Sequence, residues 1–423
     1  MLLSFRCENS YSFAHNACIS MLASNENDER FVIKRGNRHI LPVVSIYGAN
    51  ASGKSNYIKA LSNMFMNICG DEAKLRGEAF AFDGNLNEKP VICEMVFCLP
   101  NESDLGEGEY TEYIYGYELS CNRINNYENP HDGEIETIIL KEWLLSRKMG
   151  SDVEFSNVFI REGHTVNFGE EAYNAVEPLK KTIEKSRNTL FLKLAGRTDE
   201  EPFSTIYDWC SSSTQPEWLS DENMKKQIAR VAGLVCRSRA YRENFKEFLQ
   251  EFDPCIKNIV GRENNATDGG YELLVIHENN NPKKDSDNER EISIFEESDG
   301  TQKIASMYHM LMTVLKYGGL ILVDELDTKL HPAILRGIIK SFHGETNKLA
   351  QLVFTAHNLV ALDSSDVRGD EVYFIEKNES GYSQIGKLPN EIINSQMDRK
   401  FGKFYLAGRF GATKKHFNVK VNK

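Results

Sequence analysis

A glycine-rich segment between an apolar run and a helical pattern carries the clearest chemistry in this sequence. The segment is Tyr47 to Ser55, YGANASGKS, and the apolar run Ile40 to Ile46 precedes it. Glycines at such a turn let backbone N–H groups point inward, and the N-terminus of the following helix adds a positive dipole. This order of strand, loop and helix is the phosphate cradle called a P-loop. The sequence therefore predicts a polyphosphate ligand.

The predicted ligand is ATP with Mg²⁺. The Lys54 ammonium is expected to pair with the β- and γ-phosphates, and the Ser55 hydroxyl is expected to bind the magnesium ion. Backbone N–H groups along the loop hold the remaining phosphate oxygens. The predicted nucleotide-binding residues of the loop are Gly48, Ala49, Asn50, Ala51, Ser52, Gly53, Lys54, Ser55 and Asn56.

Two later apolar runs end in residues that can act on a bound phosphate. Residues 320–323 are followed by Asp324 and Glu325, and residues 352–356 are followed by His357. Continuous apolar runs are typical of central strands covered on both faces, with the chemistry at their carboxyl ends. Asp324 is then predicted to hold magnesium, Glu325 to orient the attacking water, and His357 to sense the γ-phosphate. Taken singly, these residues could be ordinary strand-end carboxylates and a core histidine, but the P-loop favours the catalytic interpretation.

A second loop lies directly before a helical pattern. Ser298-Asp299-Gly300 precedes apolar residues at helical spacing from Ile304 to Leu315. Ser and Asp are good helix caps, so the simplest interpretation is a capped helix. Together with the P-loop, the loop is predicted to be a second phosphate-contacting helix N-terminus, with Ser298 and Gly300 as its contacts.

Composition places the chain among ordinary soluble globular proteins. Of its 423 residues, 41% are hydrophobic and 26% are charged, and the formal net charge is -12. No apolar run is long enough to span a bilayer and the N-terminus is not a signal peptide, so we expect a cytoplasmic protein without a membrane partner. The nine cysteines are scattered without a CxxC pair, so we expect reduced thiols. The acidic charge argues against a surface that coats nucleic acid, although a local basic groove stays open.

The remaining patterns predict how the chain is divided. Strand-like runs over residues 90–99, 112–120 and 135–146 predict an antiparallel meander. Residues 170–252 show helical patterns, and residues 271–277 and 291–295 predict a hairpin with a long loop. Short strands are expected over 2–7, 12–21 and 158–161. The predicted parts are an ATPase lobe with the P-loop and meander over 1–165, a helical insertion or arm over 166–255, and a part with the second loop, Asp324-Glu325 and His357 over 256–423.

The order of these motifs resembles that of the ABC-type ATPase heads, the class that includes SMC heads and their DNA-repair relatives. Residues 297–301, ESDGT, stand where that class has LSGGQ, and they match its Ser and its second Gly. Asp327, in LDTKLHP, matches the D-loop of the class. The resemblance implies an α/β fold, a P-loop ATPase head with an antiparallel β meander and a helical insertion. The resemblance also implies that residues 297–302, called the signature loop, and Asp327 of one protomer contact the ATP site of the other. ATP would then join two heads.

A narrower resemblance covers nearly the whole length. YGANASGKSN, the strand at 142–144, NTLFL at 188–192, ESDGTQ, DELD with LHP, TAHN, and YLAGRFGA at 405–412 are similar to compact bacterial AAA-type ABC ATPases of phage-defence operons. RloA/AbiL-like proteins and the PARIS and OLD ATPases are of this kind. The resemblance implies a dimer, or a higher oligomer, that hydrolyses ATP and controls an effector from the same operon, either RloB-like or TOPRIM-nuclease-like.

Other functions stay open. One is an SMC-like, DNA-associated repair ATPase, and another is an OLD-like ATPase with nuclease activity, although nothing after Phe354 resembles a TOPRIM acidic cluster. A transporter subunit is a third, but transporters lack the long meander. The basic C-terminal tail, which begins near Lys414, is expected to be solvated, with a nucleic-acid or partner contact as the alternative.

Overall fold

The computed structural model describes residues 1–24, 28–71, 74–80, 89–101, 108–124, 134–170, 173–213, 221–265, 267, 269–278, 289–358 and 367–387. The C-terminal motif at 405–412, the basic tail and most of the long loop predicted before residue 291 lie outside these ranges. Within them, none of the helices combines the length and the apolar character that a membrane crossing requires.

The described residues form both strands and helices, and several runs of consecutive strands are antiparallel. The strands are β1 (Leu2–Glu8), β2 (Ala17–Ser20), β3 (Ile33–Arg35), β4 (Arg38–Ile40), β5 (Val43–Tyr47), β6 (Val91–Pro100), β7 (Tyr110–Ile124), β8 (Glu134–Lys148), β9 (Ser156–Glu162), β10 (Thr165–Phe168), β11 (Ile256–Glu263), β12 (Tyr271–Glu278), β13 (Glu289–Ser293), β14 (Gly319–Val323), β15 (Ala350–Thr355), β16 (Val372–Lys377) and β17 (Ser383–Lys387). The helices are α1 (Lys54–Cys69), α2 (Lys180–Ile183), α3 (Phe191–Ala195), α4 (Phe203–Ser212), α5 (Asp221–Arg237), α6 (Arg239–Gln250), α7 (Asp299–Tyr317) and α8 (Pro332–His343). The predicted α/β fold class is confirmed.

A five-stranded sheet in the order β14-β15-β5-β16-β17 positions the predicted chemistry. Its first four strands run parallel, and β17 pairs antiparallel with β16. Alternate residues of β14 enter different cores, with Leu320 and Leu322 on one side and Ile321 and Val323 on the other. A strand that is covered on both faces needs an apolar residue at every position, which explains the continuous apolar run in the sequence.

The helices between residues 166 and 255 pack on both sides of this sheet. Helices α3 and α4 contact α1 on one side, whereas α5 and α6 contact α7 on the other. Phe191 and Ile206 share a core with Leu320, and Val231 and Phe245 share the opposite core with α7. The described helices of this segment therefore contribute to both cores of the sheet, and the division of the chain at 165 and 255 stays a prediction.

A seven-stranded antiparallel sheet, in the order β10-β9-β8-β7-β6-β1-β2, forms the second layer. The consecutive pairing from β6 to β10 confirms the predicted meander. The sequence predicted neither β10 nor the addition of β1 and β2 to this sheet. The strand expected over 12–21 is limited to Ala17–Ser20, because backbone hydrogen bonds between Ser10 and Phe13 close a turn there.

A three-stranded sheet, β11-β12-β13, packs against α5 and α6. The predicted hairpin corresponds to β12 and β13, although β13 lies two residues earlier than expected. The sequence missed β11, since only Ile256 and Ile259 of its eight residues are buried and the alternation is weak.

A buried carboxylate joins the meander to α3. Glu142 of β8 is fully buried and accepts the N–H groups of Phe191 at 2.7 Å and Leu192 at 3.0 Å, as well as the Tyr115 hydroxyl at 3.0 Å. The Arg161 guanidinium lies 3.6 Å away. Burial raises the pKa of Glu142, while Arg161 and the two N–H donors oppose the rise. The strand at 142–144 and the segment at 188–192 are thus one structural unit.

We expect Glu142→Ala to destabilise the protein by about 3–5 kcal/mol, because Arg161 is left buried without its counter-charge and α3 loses its cap. For a chain of this length, the thermal midpoint should fall by roughly 3–6 °C, measured by circular dichroism. The control is Glu162→Ala, since the Glu162 side chain is 70% exposed and its ion pair with Lys141 lies at the surface. Equal thermal midpoints for the two variants would contradict the role of Glu142 in joining the meander to α3.

Candidate functional site

The P-loop follows β5 and leads into α1, as predicted. Gly53 caps α1 with φ +112°, a backbone conformation that favours glycine. A Cβ at Gly53 would also lie 2.3 Å from the Ser383 hydroxyl oxygen. Ser383 donates to the Ser52 carbonyl at 2.6 Å and shares a hydrogen bond with the Ser12 hydroxyl at 2.8 Å. Two distant segments therefore hold the loop, and the sequence analysis identified neither serine.

Lys54 lies inside the loop. Its Nζ donates to the Gly48 carbonyl at 2.9 Å and to the Ala49 carbonyl at 3.2 Å. Burial lowers the pKa of Lys54, while the neighbouring carboxylates, Asp324 foremost, raise it. The ammonium is thus directed by the loop and faces the acidic end of β14.

An open cleft of about 680 Å³ joins the P-loop to the predicted catalytic side chains. This volume falls within the usual range for small-molecule sites. The residues that line it are Asn50, Ala51, Ser52, Gly53, Lys54, Ser55, Asn56, Glu325, His357 and Lys377. The structure therefore brings the P-loop, Glu325 and His357 together. Lys377, at the end of β16, adds a second cation that the sequence analysis missed.

The two acidic residues after β14 are oriented by Thr355. The Thr355 hydroxyl donates to Asp324 Oδ1 at 2.5 Å and accepts the N–H of Glu325 at 2.7 Å. Thr355 is fully buried at the end of β15. The signal in the sequence was a polar residue that closes an otherwise apolar run. Ser55, exposed at the start of α1, and Asp324 supply the hydroxyl and carboxylate oxygens that Mg²⁺ prefers.

Glu325 occupies a strained position at the mouth of the cleft. Its φ is +51°, a conformation that costs a non-glycine residue roughly 1–3 kcal/mol. Its Oε1 lies 3.6 Å from His357 Nε2, and its Oε2 accepts the Thr328 hydroxyl at 3.3 Å. Both the Glu325 and His357 side chains are partly exposed to the cleft. A carboxylate and an imidazole therefore converge in the cleft that the P-loop lines.

Asp327 holds the loop that carries His357. Its Oδ2 accepts the N–H groups of His357 at 2.9 Å and Asn358 at 2.6 Å. Within one chain, the aspartate of the D-loop thus orders the loop after β15. Its contact with an opposite protomer stays a prediction.

The signature loop contacts the D-loop of its own chain. Ser298 caps α7 by accepting the Thr301 N–H at 3.2 Å, and it is exposed. A Cβ at Gly300 would lie 2.8 Å from the Lys329 carbonyl oxygen, so a larger residue would separate the two loops. Neither Ser298 nor Gly300 is among the residues that line the cleft of the same chain.

A buried lysine joins α7 to the segment that contains Glu325. Lys303 Nζ donates to three carbonyl groups, those of Glu325 at 2.9 Å, Leu326 at 3.1 Å and Thr328 at 2.9 Å. Burial lowers the pKa of Lys303 to about 8. The sequence analysis missed this residue, although a lysine directly before Ile304, at the start of the buried stripe of α7, was its signal.

The P-loop, the Asp-Glu pair and the histidine at neighbouring strand ends define a P-loop ATPase fold of the AAA/ABC kind, with a Ser-x-Gly loop that caps a long helix. The chain belongs to the AAA_21 family, described as "AAA domain, putative AbiEii toxin, Type IV TA system", whose family model matches residues 43–363. No curated protein matches the sequence.

Three solved SMC heads are similar to the structure. The SMC head domain from Thermotoga maritima has 16% identity and a TM-score of 0.41, covering 92% of this chain and 99% of its own. An SMC head bound to the C-winged helix domain of ScpA has 15% identity and a TM-score of 0.45, covering 92% and 98%. The SMC head with an extended coiled coil, bound to the C-terminal domain of ScpA from Pyrococcus furiosus, has 14% identity and a TM-score of 0.43, covering 96% and 99%.

The lowered pKa of Lys303 predicts a pH-dependent stability. The pKa is about 8 in the folded chain and 10.5 ordinarily, so between these values the unfolded state binds the extra proton. The free energy of unfolding therefore rises with pH through this window. Lys303→Met has no titrating amine at this position, so its free energy of unfolding should not show this rise. Between pH 7 and pH 9.5 the thermal midpoint of the wild type should gain roughly 2 °C over that of Lys303→Met.

The matched control is Lys316→Met, which replaces an exposed lysine on the same helix. Its midpoint should follow that of the wild type at both pH values. A gap between wild type and Lys303→Met that is constant with pH would show that the Lys303 pKa is not lowered.

Proposed function

We propose that the chain is an ATPase, two copies of which bind two ATP-Mg²⁺ between them, head to head. The observation that carries the proposal is the separation of the two phosphate-contacting loops within one chain. The cleft contains the P-loop, Glu325 and His357, whereas Ser298 and Gly300 lie outside its lining at the start of a 19-residue helix. An exposed helix N-terminus with a serine cap suits an anionic phosphate. A second copy can supply it to the open side of the cleft.

Each residue of the site has a role in phosphoryl transfer to water. Lys54 and the loop N–H groups hold the phosphates, and Ser55 and Asp324 would hold the magnesium ion. When bound, the magnesium ion would neutralise part of the negative charge on the β- and γ-phosphates. Glu325 orients the attacking water and accepts its proton, while His357 contacts the γ-phosphate.

Two features near the signature loop support its role as a contact surface. Phe295, three residues before Ser298, is 42% exposed, an apolar side chain that an interface would cover. Lys303 of α7 donates a hydrogen bond to the carbonyl of Glu325. A phosphate that binds the N-terminus of α7 would therefore also affect the backbone of Glu325.

We further propose that the ATPase acts in anti-phage defence, as a cytoplasmic sensor and scaffold that restrains or releases an effector encoded beside it. The description of the family as a toxin of a toxin–antitoxin system supports this role. The motifs shared with RloA/AbiL-like ATPases favour an RloB-like or TOPRIM-nuclease-like effector. Co-purification of the chain with the product of the adjacent gene, in the presence and absence of ATP, tests the partnership.

One observation favours a DNA-associated ATPase as the second candidate. A groove of about 390 Å³ on α5 is lined by Lys226, Arg230 and Arg237 beside Tyr271. The Arg237 guanidinium lies 5.2 Å from the centre of the Tyr271 ring. Basic side chains beside an aromatic ring suit a nucleic-acid strand. Hydrolysis that DNA stimulates, with an affinity that falls steeply with salt, would favour this candidate.

We expect Glu325→Gln to bind ATP without cleaving it, so that the ATP-joined dimer accumulates. The solution mass, measured by light scattering, should double when ATP and Mg²⁺ are added. Ser298→Arg in the same background should stay monomeric, because the bulky cation blocks the partner's phosphate contact. Lys54→Met in that background should also stay monomeric, because the phosphates lose their cation.

A mass that ATP does not change would contradict the shared site if the protein is monomeric. A doubling that persists in Ser298→Arg would show that the loop at 297–302 is not the surface that meets the nucleotide.

A further inference from the structure

Three metal-ligating side chains from three separate elements meet directly before the signature loop. Asp253 follows α6, His277 lies on β12, and Glu297 immediately precedes Ser298. One ligand atom from each lies within 4.8 Å of the ligand atoms of the other two. None of the three lines the cleft of the P-loop. The cluster is therefore separate from the cleft of its own chain.

The cluster places two carboxylates beside one imidazole. The Glu297 side chain is only 9% exposed, and its Oε1 lies 2.5 Å from His277 Nε2. The ligand atoms of Asp253 and Glu297 lie within 4.8 Å of each other, and two carboxylates this close in a partly buried position repel. A divalent cation among the three side chains would neutralise both carboxylates.

Glu371 pairs with the imidazole of His343 at 2.8 Å, whereas the other buried carboxylates in the described chain have a guanidinium partner. Glu112 pairs with Arg38 and Arg147, and Asp370 pairs with Arg368. In the same described part, the ion pair recorded for Glu297 is the one with His277. Like Glu371, Glu297 meets an imidazole, but the carboxylate of Asp253 also lies in its cluster, and a cation would balance this second acid.

We infer that Asp253, His277 and Glu297 bind a first-row transition-metal ion of the Zn²⁺ or Mn²⁺ class. One imidazole nitrogen with two carboxylates suits these ions, whereas Mg²⁺ takes oxygen ligands and keeps its water. Ligand distances of about 2.0–2.2 Å require only small side-chain movements from the observed cluster. Asp253 is already oriented, because its Oδ1 accepts the Cys255 N–H at 2.9 Å.

The ion braces the signature loop, a consequence that rests on the proposed function. Glu297 is bonded along the chain to Ser298, and its carbonyl accepts Gln302 Nε2 at 2.8 Å. A metal ion at Glu297 therefore ties the start of α7 to β12 and to the end of α6. Less freedom in the loop lowers the entropy cost of its contact with the partner's ATP.

The site is tested on the full, nucleotide-free chain with Mn²⁺ alone, whose free-ion EPR signal falls on binding, and with Zn²⁺ alone by calorimetry. We expect the wild type to bind one ion more per chain than His277→Gln or Asp253→Asn, with affinity lowered by more than about tenfold in the variants. The control His164→Gln replaces a half-buried histidine outside the cluster, whose ring accepts a hydrogen bond from Arg187. It should bind as the wild type does.

Equal uptake by wild type and the two cluster variants, or no uptake, would overturn the site. Displacement of the ion by millimolar Mg²⁺ would overturn its assignment to a transition metal. Circular dichroism of each variant confirms that a lost ion is not a lost fold.

A second measurement tests the brace in the Glu325→Gln background. Added Zn²⁺ should lower the ATP concentration that half-forms the dimer at least about fivefold, and His277→Gln should remove this effect. Ion binding without a shift in the ATP midpoint would overturn the brace. The absence of any ATP-dependent dimer would instead overturn the proposed function, and the ion titration would still decide the metal site.

Discussion

The parallel register of three adjacent strands is the constraint on which the site depends. Ile46 of β5 lies opposite Thr355 of β15, and Phe354 lies opposite Val323 of β14. The P-loop, the Asp-Glu pair and the histidine loop consequently leave the sheet at the same edge. A slip of one residue would reverse the faces of a strand that is buried on both sides, so core packing and site geometry are specified together.

Side-chain hydrogen bonds to the backbone then join the loops that leave this edge. Thr355 connects the acidic pair to β15, Asp327 connects the D-loop to the histidine loop, and Lys303 connects α7 to the acidic segment. Each bond satisfies a backbone N–H or carbonyl group in a loop, outside the regular pairing of strands and helices. Together they compensate the strained backbone of Glu325. The same bonds make α7 and Glu325 parts of one hydrogen-bonded network.

Buried carboxylates in the described chain lie beside basic side chains, which are guanidinium groups for Glu112, Glu142 and Asp370 and the His343 imidazole for Glu371. Glu142 between the two sheets is neutralised by Arg161 and by the N-terminus of α3. Burial of such a group is costly unless a partner and hydrogen bonds offset it, and removal of the partner costs more than the pair contributes. At Asp253, His277 and Glu297, two carboxylates share one imidazole. This cluster lies directly before the loop that we propose contacts a second copy.

The sequence by itself determined the chemistry that resides in contiguous residues. The P-loop, the Asp324-Glu325 pair, His357 and the cap at Ser298 were all predicted, because local spacing and strand ends reveal them. The meander was predicted for the same reason, since alternation is a local property. What only the tertiary structure decided are contacts between residues far apart in the chain. Ser383 on the P-loop and the addition of β1 to the meander have no local signal, and the position of Lys303 on α7 does not identify its carbonyl partners. The metal cluster likewise exists only where α6, β12 and the start of α7 meet. Such contacts arise from packing and register, which residue type and spacing along the chain do not encode on their own.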